Sequence, residues 1–193
     1  RVQIGVRLML PLLVCLAVGA AAAFVQVHRS LGKRSRIILV ACLIVGLLGN
    51  AAAAIRVWPE ALCYTNPAWG GTRGGYRLLS DSNYDWGQGL LELEQWRLQH
   101  GVETIDLWYF GLDPRADQPP FRRIQPHSPD WLGGRAIAEV TSGKCCAVST
   151  TMLFGAYAKN SEPGRASVAF FLAHAPTDRT ATYFIYDFRG EKR

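Results

Sequence analysis

Residues 8–27 of this chain read LMLPLLVCLAVGAAAAFVQV, twenty consecutive positions without a charged side chain. At about 1.5 Å per residue, a helix of that length reaches roughly 30 Å, the thickness of the hydrocarbon core of a bilayer. A second uncharged run, IILVACLIVGLLGNAAAAI, occupies residues 37–55. Neither run carries the polar stripe that a surface helix of a soluble protein needs. The pattern predicts two transmembrane helices, over about residues 8–27 and 37–55.

The segment between the two runs, residues 28–36, reads HRSLGKRSR and carries four positive charges. Short basic loops stay in the cytoplasm, so this loop is expected there and everything after Ile55 on the other side of the membrane. A cleaved signal peptide fits badly, because the first run is too long and a second run follows it. The alternative that stays open is a buried helical hairpin of a soluble protein.

The charge of the chain is divided unevenly. Residues 1–58 contain seven of the 21 basic residues and none of the 15 acidic ones, so residues 59–193 hold 14 basic and 15 acidic side chains. The net charge of +6 therefore belongs to the apolar N-terminal region, which indicates a membrane segment and no nucleic-acid partner. A hydrophobic fraction of 49% also excludes a disordered chain.

Small residues in both runs, such as Gly19 and Ala51–Ala54, favour close packing against further membrane helices. The chain also begins at Arg1 without a methionine. We therefore expect it to be the C-terminal piece of a longer multi-pass protein, whose preceding transmembrane helices would be its partners.

Residues 59–193 are enough for one small core, and their pattern predicts an α/β layer domain. A turn-rich segment over 70–75 is expected to be a plain loop. A helix over 86–100 would be capped by Asp85 and, at its third position, Gln88. Further predicted elements are strands at 104–110, 135–141 and 181–187, a short helix at 151–158 and a Pro-rich loop over 113–129.

Residues 75–88, GYRLLSDSNYDWGQ, carry the most specific motif. They resemble the "LLDSNLDWGQ" segment of bacterial membrane glycosyltransferases of the GT-C superfamily, which are related to protein O-mannosyltransferases; Tyr84 stands where that family has Leu. The likeness extends to IGVRLMLP at 4–11 ("IGVRYLLP"), to LWYFG at 107–111 (a strand ending in "YFG") and to YFIYD at 183–187 ("YSIFVYDI").

The resemblance implies an enzyme that transfers a sugar from a polyprenyl-phosphate carrier to an acceptor on the extracytoplasmic face. In this superfamily the catalytic carboxylate lies in the first extracytoplasmic loop, near the start of the full protein. We therefore expect no catalytic residue in this chain and no activity from it alone. No cofactor is expected, and the spacing of Cys and His matches no metal site.

Two groups of candidate site residues follow. Arg7 and, with a weaker claim, Arg56 would lie at the outer membrane boundary, where a guanidinium can bind the carrier phosphate; snorkelling to lipid headgroups is the alternative. Polar and aromatic residues of the motif would contact sugar or acceptor, or else fix how the following helix docks: Asp81, Asn83, Asp85, Trp86 and Gln88.

Three further alternatives stay open. The spacing of Asp81, Asn83, Asp85 and Glu92 fits a calcium loop in part, but the glycine expected at its sixth position is Trp86. Cys63 would be able to form a disulfide with Cys145 or Cys146 in an oxidising compartment. The rival to the enzyme is a non-enzymatic, membrane-anchored binding module of the same two-helix architecture.

Overall fold

The computed structural model describes residues 10–58, 61–65, 70–78, 84 and 86–190. The chain divides into two compact units, Arg1–Trp58 and Pro59–Arg193. The first unit contains two long apolar helices and the second is a small mixed α/β domain, so the predicted fold class is confirmed at this level.

The helices of the first unit are α1, Leu10–Ser30, and α2, Lys33–Val57. Both are long and apolar enough to cross a membrane by length and composition, and the described residues of both stay unburied within the chain. Leu, Ile and Val side chains therefore face outward along almost the whole length of each helix. Such surfaces are stable in lipid or against other apolar helices.

The connection between α1 and α2 is shorter than predicted. It consists of Leu31 and Gly32, because both helices continue into the basic segment that we expected to be a nine-residue loop. Charged side chains mark where a helix leaves an apolar environment, but they do not end the helix itself. The Arg36 side chain binds the carbonyl oxygens of Leu31 and Arg29, at 2.8 and 3.0 Å, and so satisfies acceptors at the end of α1.

The second unit is built on one five-stranded sheet. The strands are β1, Ile105–Trp108; β2, Phe121–Arg123; β3, Cys145–Ser149; β4, Asp178–Arg179; and β5, Tyr183–Asp187. Their order is β2-β1-β3-β5-β4. β2, β1 and β3 run parallel, whereas β5 pairs antiparallel with both β3 and β4.

The second unit also contains seven described helices of four or more residues. They are α3, Gly71–Gly74; α4, Leu90–Gln99; the 3-10 helix Pro114–Asp117; α5, Pro129–Leu132; α6, Ile137–Thr141; α7, Thr150–Phe154; and α8, Glu162–Ala173.

The sheet separates two hydrophobic layers. Strand side chains alternate between the faces, so Leu107 and Ala147 pack with α4, whereas Trp108 and Val148 pack with α6, α7 and α8. Burial on both faces explains why β3 is buried at every position. The result is a three-layer domain with the sheet in the middle.

Polar side chains attach α4 to the turn between β4 and β5. Glu92 accepts a hydrogen bond from the backbone N–H of Ala181 at 2.9 Å, and the Trp96 indole donates to Asp178 at 2.7 Å. Tyr84 is fully buried, and its hydroxyl lies within hydrogen-bond distance of the carbonyl oxygens of Thr72 and, at 3.0 Å, Ala181. This contact requires a hydroxyl, which gives a structural reason for a tyrosine at position 84.

Three predicted elements differ from the structure. The segment 135–141 is not a strand: Ile137–Thr141 is a helix, because its buried residues Ile137, Val140 and Thr141 have helical i, i+3, i+4 spacing. The loop expected at 70–75 contains α3. The Pro-rich loop contains β2 and a 3-10 helix.

The remaining predicted elements occur with shifted ends. The strands expected at 104–110 and 181–187 are β1 and β5, and the short helix expected at 151–158 is α7. The helix expected over 86–100 is α4, which begins at Leu90 with Gly89 in the N-cap position. Gly89 thus occupies the cap that the sequence assigned to Asp85, and Asp85 lies outside the described residues.

Candidate functional site

A cleft of about 330 Å³ opens where the parallel strands end. Open α/β sheets bind ligands at the carboxyl ends of their parallel strands, because the chain diverges there into loops. Here residues 109–112 follow β1, residues 123–127 end and follow β2, and α7 follows β3. The described residues that line the cleft are Trp86, Tyr109, Phe110, Gly111, Leu112, Arg123, Ile124, Gln125, His127, Met152 and Tyr157.

The Trp86 side chain reaches the cleft because the backbone turns sharply at Gly87. Gly87 has φ +85°, in the left-handed region, and a Cβ built there would lie 1.9 Å from the Tyr109 hydroxyl oxygen. A helix cannot pass through such a residue, which explains why the helix expected from residue 86 begins only after Gly87. Trp86 consequently stays outside the helix, with 47% of its side chain exposed.

The side chain of Gln88 holds this turn together. Its Oε1 accepts from the Trp86 N–H at 2.7 Å, and its Nε2 donates to the Tyr84 carbonyl at 3.0 Å. Nε2 also lies 3.3 Å from Cys63 Sγ. The amide of Gln88 is therefore engaged within the protein, whereas Trp86 lines the cleft.

Tyr109 joins the two motif segments at the floor of the cleft. Its hydroxyl donates to the Gly87 carbonyl at 3.4 Å and accepts from the Asp113 N–H at 3.3 Å. A Cβ at Gly111 would lie 2.5 Å from the same hydroxyl oxygen and 2.7 Å from the Trp86 carbonyl oxygen. The glycines of the "DWGQ" and "YFG" segments thus leave the space that the tyrosine fills.

Aromatic rings form one wall of the cleft. Trp86 and Phe110 lie with ring centroids 5.9 Å apart, and Tyr157 packs edge-on against Phe110 at 5.8 Å. Tyr157 also meets the His127 ring edge-on at 5.5 Å. Half of the Tyr157 side chain is exposed, so its surface is accessible from the cleft. The wall offers apolar ring surfaces of the kind that stack on flat ligands.

His127 is held in one tautomer. The indole N–H of buried Trp108 donates to His127 Nδ1 at 3.2 Å, and the two rings are parallel within 8°. Burial lowers the pKa of His127, which favours the neutral ring. Since Nδ1 accepts a hydrogen bond, the single proton resides on Nε2. Among the described residues Nε2 has no hydrogen-bond partner, and His127 belongs to the lining of the cleft, so its N–H is a candidate donor for a ligand there.

The backbone around His127 is fixed by α8. The Ser161 hydroxyl donates to the His127 carbonyl at 2.7 Å while accepting from the Gly164 N–H, which caps α8. Ser167 donates to the Pro126 carbonyl at 3.3 Å. The imidazole position is therefore set by two neighbouring elements, β1 through Trp108 and α8 through its serines.

Arg123 brings a charge that is already balanced. Its Nε lies 2.9 Å from a carboxylate oxygen of Asp117, and its guanidinium lies over the Tyr109 ring, 4.9 Å from the centroid. The other described lining residues are uncharged when His127 is neutral. The described part of the cleft is thus aromatic and polar, without a net charge.

The candidate site residues predicted from the sequence do not all lie in the cleft. Trp86 lines the cleft and Gln88 lies beside it, whereas Arg56 is exposed in the last turn of α2, in the other unit. Arg7, Asp81, Asn83 and Asp85 lie outside the described residues. The assignment of Arg7 and Arg56 to the carrier phosphate, and of the motif residues to sugar or acceptor, remains a prediction.

The calcium and disulfide alternatives gain no support. Glu92, the last position of the partial calcium pattern, uses its carboxylate to bind the Ala181 N–H, and the described residues hold no cluster that fits a metal ion. Cys145 and Cys146 are free, buried thiols, so a disulfide from Cys63 to either is absent. Burial raises the pKa of Cys145 to about 11 and that of Cys146 further, which makes both unreactive.

Trp86 is the one lining residue that the sequence proposed for the site, and the polar and aromatic residues that it gave no reason to single out include Arg123, Gln125, His127 and Tyr157. Arg123, Gln125 and His127 fall in a segment that we interpreted as a Pro-rich loop, and the polar side chains that follow the apolar Phe121 were the available signal. Tyr157 carried no signal, because its place beside Phe110 depends on the packing of α7.

Comparison with known proteins finds no matching family model, no matching curated protein and no matching solved structure. The class that fold and cleft define is therefore the one argued from geometry: a three-layer α/β domain with a ligand-sized cleft at the carboxyl ends of parallel strands. The same chain carries two helices that are long and apolar enough to cross a membrane.

Replacing Gly87 by Ala is expected to destabilise the protein through strain and overlap together. A left-handed φ costs an alanine about 1–2 kcal/mol, and the overlap with Tyr109 adds about 1–3 kcal/mol. Gly143→Ala is the matched control, because Gly143 also has a left-handed φ, +71°, but open space around it. Urea unfolding of both variants should show G87A at least about 1 kcal/mol less stable than G143A; equal losses would contradict the contact with Tyr109.

The lowered pKa of His127 makes stability depend on pH. Because the folded pKa lies below the ordinary value of 6.5, the stabilisation is complete above about pH 6.5 and is lost as pH falls towards the folded pKa. The free energy of unfolding changes through this one group by at most about 1.4 kcal/mol per pH unit. Melting temperatures between pH 7.5 and 5 should fall for the native chain and less steeply for His127→Asn, whose amide oxygen still accepts from Trp108. Parallel slopes would refute this.

Proposed function

We propose that this chain is the C-terminal part of a polytopic glycosyltransferase of the GT-C type. The parent enzyme would transfer a sugar from a polyprenyl-phosphate carrier to an acceptor on the extracytoplasmic face. The observation that carries this proposal is the meeting of the two most specific resembling segments, Trp86-Gly87-Gln88 and Tyr109-Phe110-Gly111, at one cleft. Their glycines and tyrosine interlock, so the motif residues are explained together by one site.

The character of the cleft supports a role with sugars. Sugar rings present apolar faces to aromatic side chains and hydroxyl groups to hydrogen-bonding partners. Trp86 and Tyr157 offer the first kind of surface, and His127 and Gln125 the second.

The first unit supports the membrane part of the proposal. α1 and α2 would cross the bilayer as a hairpin, with the basic residues around Leu31 and Gly32 in the cytoplasm. The second unit would then be extracytoplasmic. Arg56 would lie at the outer interface, in the last turn of α2, where the helix dipole favours a cation, and would bind carrier phosphate together with Arg7.

Sugar transfer by the full enzyme tests the function. Membranes containing it are incubated with a panel of radiolabelled polyprenyl-phosphate sugars (mannose, glucose, galactose, arabinose), and release of polyprenyl phosphate is measured. We expect turnover of one donor, lowered at least tenfold by Trp86→Ala with an unchanged melting temperature. Leu98→Ala, at a position that is also exposed but lies on α4 and outside the cleft, is the control and should retain activity.

The lack of turnover with every donor, in membranes where the protein is folded, would contradict the enzyme and favour the binding module. That second function has its own support, since the described cleft offers ring surfaces and hydrogen-bonding side chains that suit a binding module.

Protease treatment of intact spheroplasts tests the topology. Trypsin added outside should digest the region after Trp58, while Arg29 and Lys33 at the connection of α1 and α2 stay protected until the cells are lysed. Mass spectrometry of the membrane fragments identifies the cut sites. If the second unit survives in intact spheroplasts and is digested after lysis, the proposed orientation is wrong.

A further inference from the structure

We infer that the cleft binds one uncharged pyranose unit of a glycan, and that the Nε2–H of His127 donates to one of its oxygen atoms. This inference rests on the proposed function and specifies the ligand class of the same site. It also distinguishes the cleft from the site of the carrier phosphate, which would require a different place in the protein.

The charges of the cleft favour a neutral ligand over an anionic one. Arg123 is the one cationic side chain in the described lining, and Asp117 holds it at 2.9 Å while Tyr109 packs beneath it. A phosphate or uronate would meet a guanidinium whose charge Asp117 already offsets, and would gain less from it than from an unpaired cation. A neutral ligand leaves the pair intact and avoids the cost of desolvating a second charge.

The size and walls of the cleft fit a sugar ring. Its volume of about 330 Å³ lies at the lower end of the range for small-ligand pockets, roughly 300–1,000 Å³. Trp86 and Tyr157 are about half exposed, so their rings can be covered by a ligand without first breaking the core. Phe110 lies in contact with both rings and sets their spacing.

The tautomer of His127 gives the cleft a donor in a fixed position. Trp108 occupies Nδ1, and the Ser161 hydroxyl holds the backbone of His127, so Nε2 is the ring nitrogen that remains for a ligand. The side chain of Gln125 is exposed at the same cleft and adds an amide with both donor and acceptor character. Hydroxyl groups of a sugar match this set, since each can accept and donate.

Two substitutions of His127 distinguish the contributions of its two ring nitrogens to binding. His127→Asn places an acceptor near the position of Nδ1 and removes the donor at Nε2. His127→Gln places an amide nitrogen near the position of Nε2 and removes the acceptor for Trp108. If the donor contributes to binding, the asparagine variant weakens it and the glutamine variant restores it.

Binding is measured with the whole chain in phospholipid nanodiscs, because maltoside detergents would themselves present sugars. The probes are neutral trisaccharides (mannotriose, maltotriose, cellotriose and chitotriose), with trigalacturonate, inorganic phosphate and a proline-rich peptide as competitors of other classes. Saturation-transfer NMR and quenching of tryptophan fluorescence give the dissociation constants. We expect at least one neutral trisaccharide to bind and the anions and the peptide not to compete.

The variants then locate the ligand. Trp86→Ala and His127→Asn should each weaken binding about tenfold, and His127→Gln should stay within about threefold of the native chain. Because loss of the Trp108 contact can unfold the glutamine variant, Tyr157→Ala against Tyr157→Phe provides a second pair at a half-exposed position: the first should lose binding and the second retain it. Melting temperatures establish that each variant is folded.

Failure of this inference differs from failure of the proposed function. If no trisaccharide binds, if phosphate, trigalacturonate or the peptide binds in their place, or if the cleft variants bind like the native chain, the inference is overturned even when donor turnover is found. Saccharide binding that the cleft variants abolish, in a protein without donor turnover, supports the inference and refutes the enzyme.

Discussion

The contact between the Tyr109 hydroxyl and the glycines at 87 and 111 is the constraint on which the candidate site depends. It requires a backbone without side chains on both sides of one phenol, and it thereby fixes the loop before α4 and the loop after β1 to each other. The indole of Trp86 and the ring of Phe110 take their relative positions from these two loops. A larger residue at either glycine would separate the loops and open the cleft.

The cleft takes its electrostatic character from the same arrangement. Tyr109 carries the guanidinium of Arg123 on its ring, and Asp117 neutralises that guanidinium from the 3-10 helix before β2. His127 remains uncharged because it is half-buried against Trp108. Three side chains that look ionic or titratable in the sequence therefore produce a neutral surface, which a reading of residue types alone would not predict.

The sequence predicted the elements whose signal is local. The two apolar runs predicted α1 and α2, and the β-rich segment around Leu107 predicted β1. It failed at two elements. The alternation around Ile137 resembles a strand, although the buried residues there have helical spacing. The strand β3 was missed because the run from Cys145 to Ser149 has no alternation of polar and apolar residues. Among the residues of the candidate site, the motif singled out Trp86. The pairing of β1 with β2 brings His127 to the cleft, and no local sequence pattern predicts that pairing.

The ends of the sheet have a consequence for handling the domain. The outer strands, β2 and β4, have three and two residues, and each contains an arginine that is not fully buried. A partner strand from another molecule would find few unpaired backbone groups there and would have to desolvate a guanidinium to reach them. The sheet is thus poorly suited to growing by edge-to-edge addition, and self-association through its rims is disfavoured at high concentration.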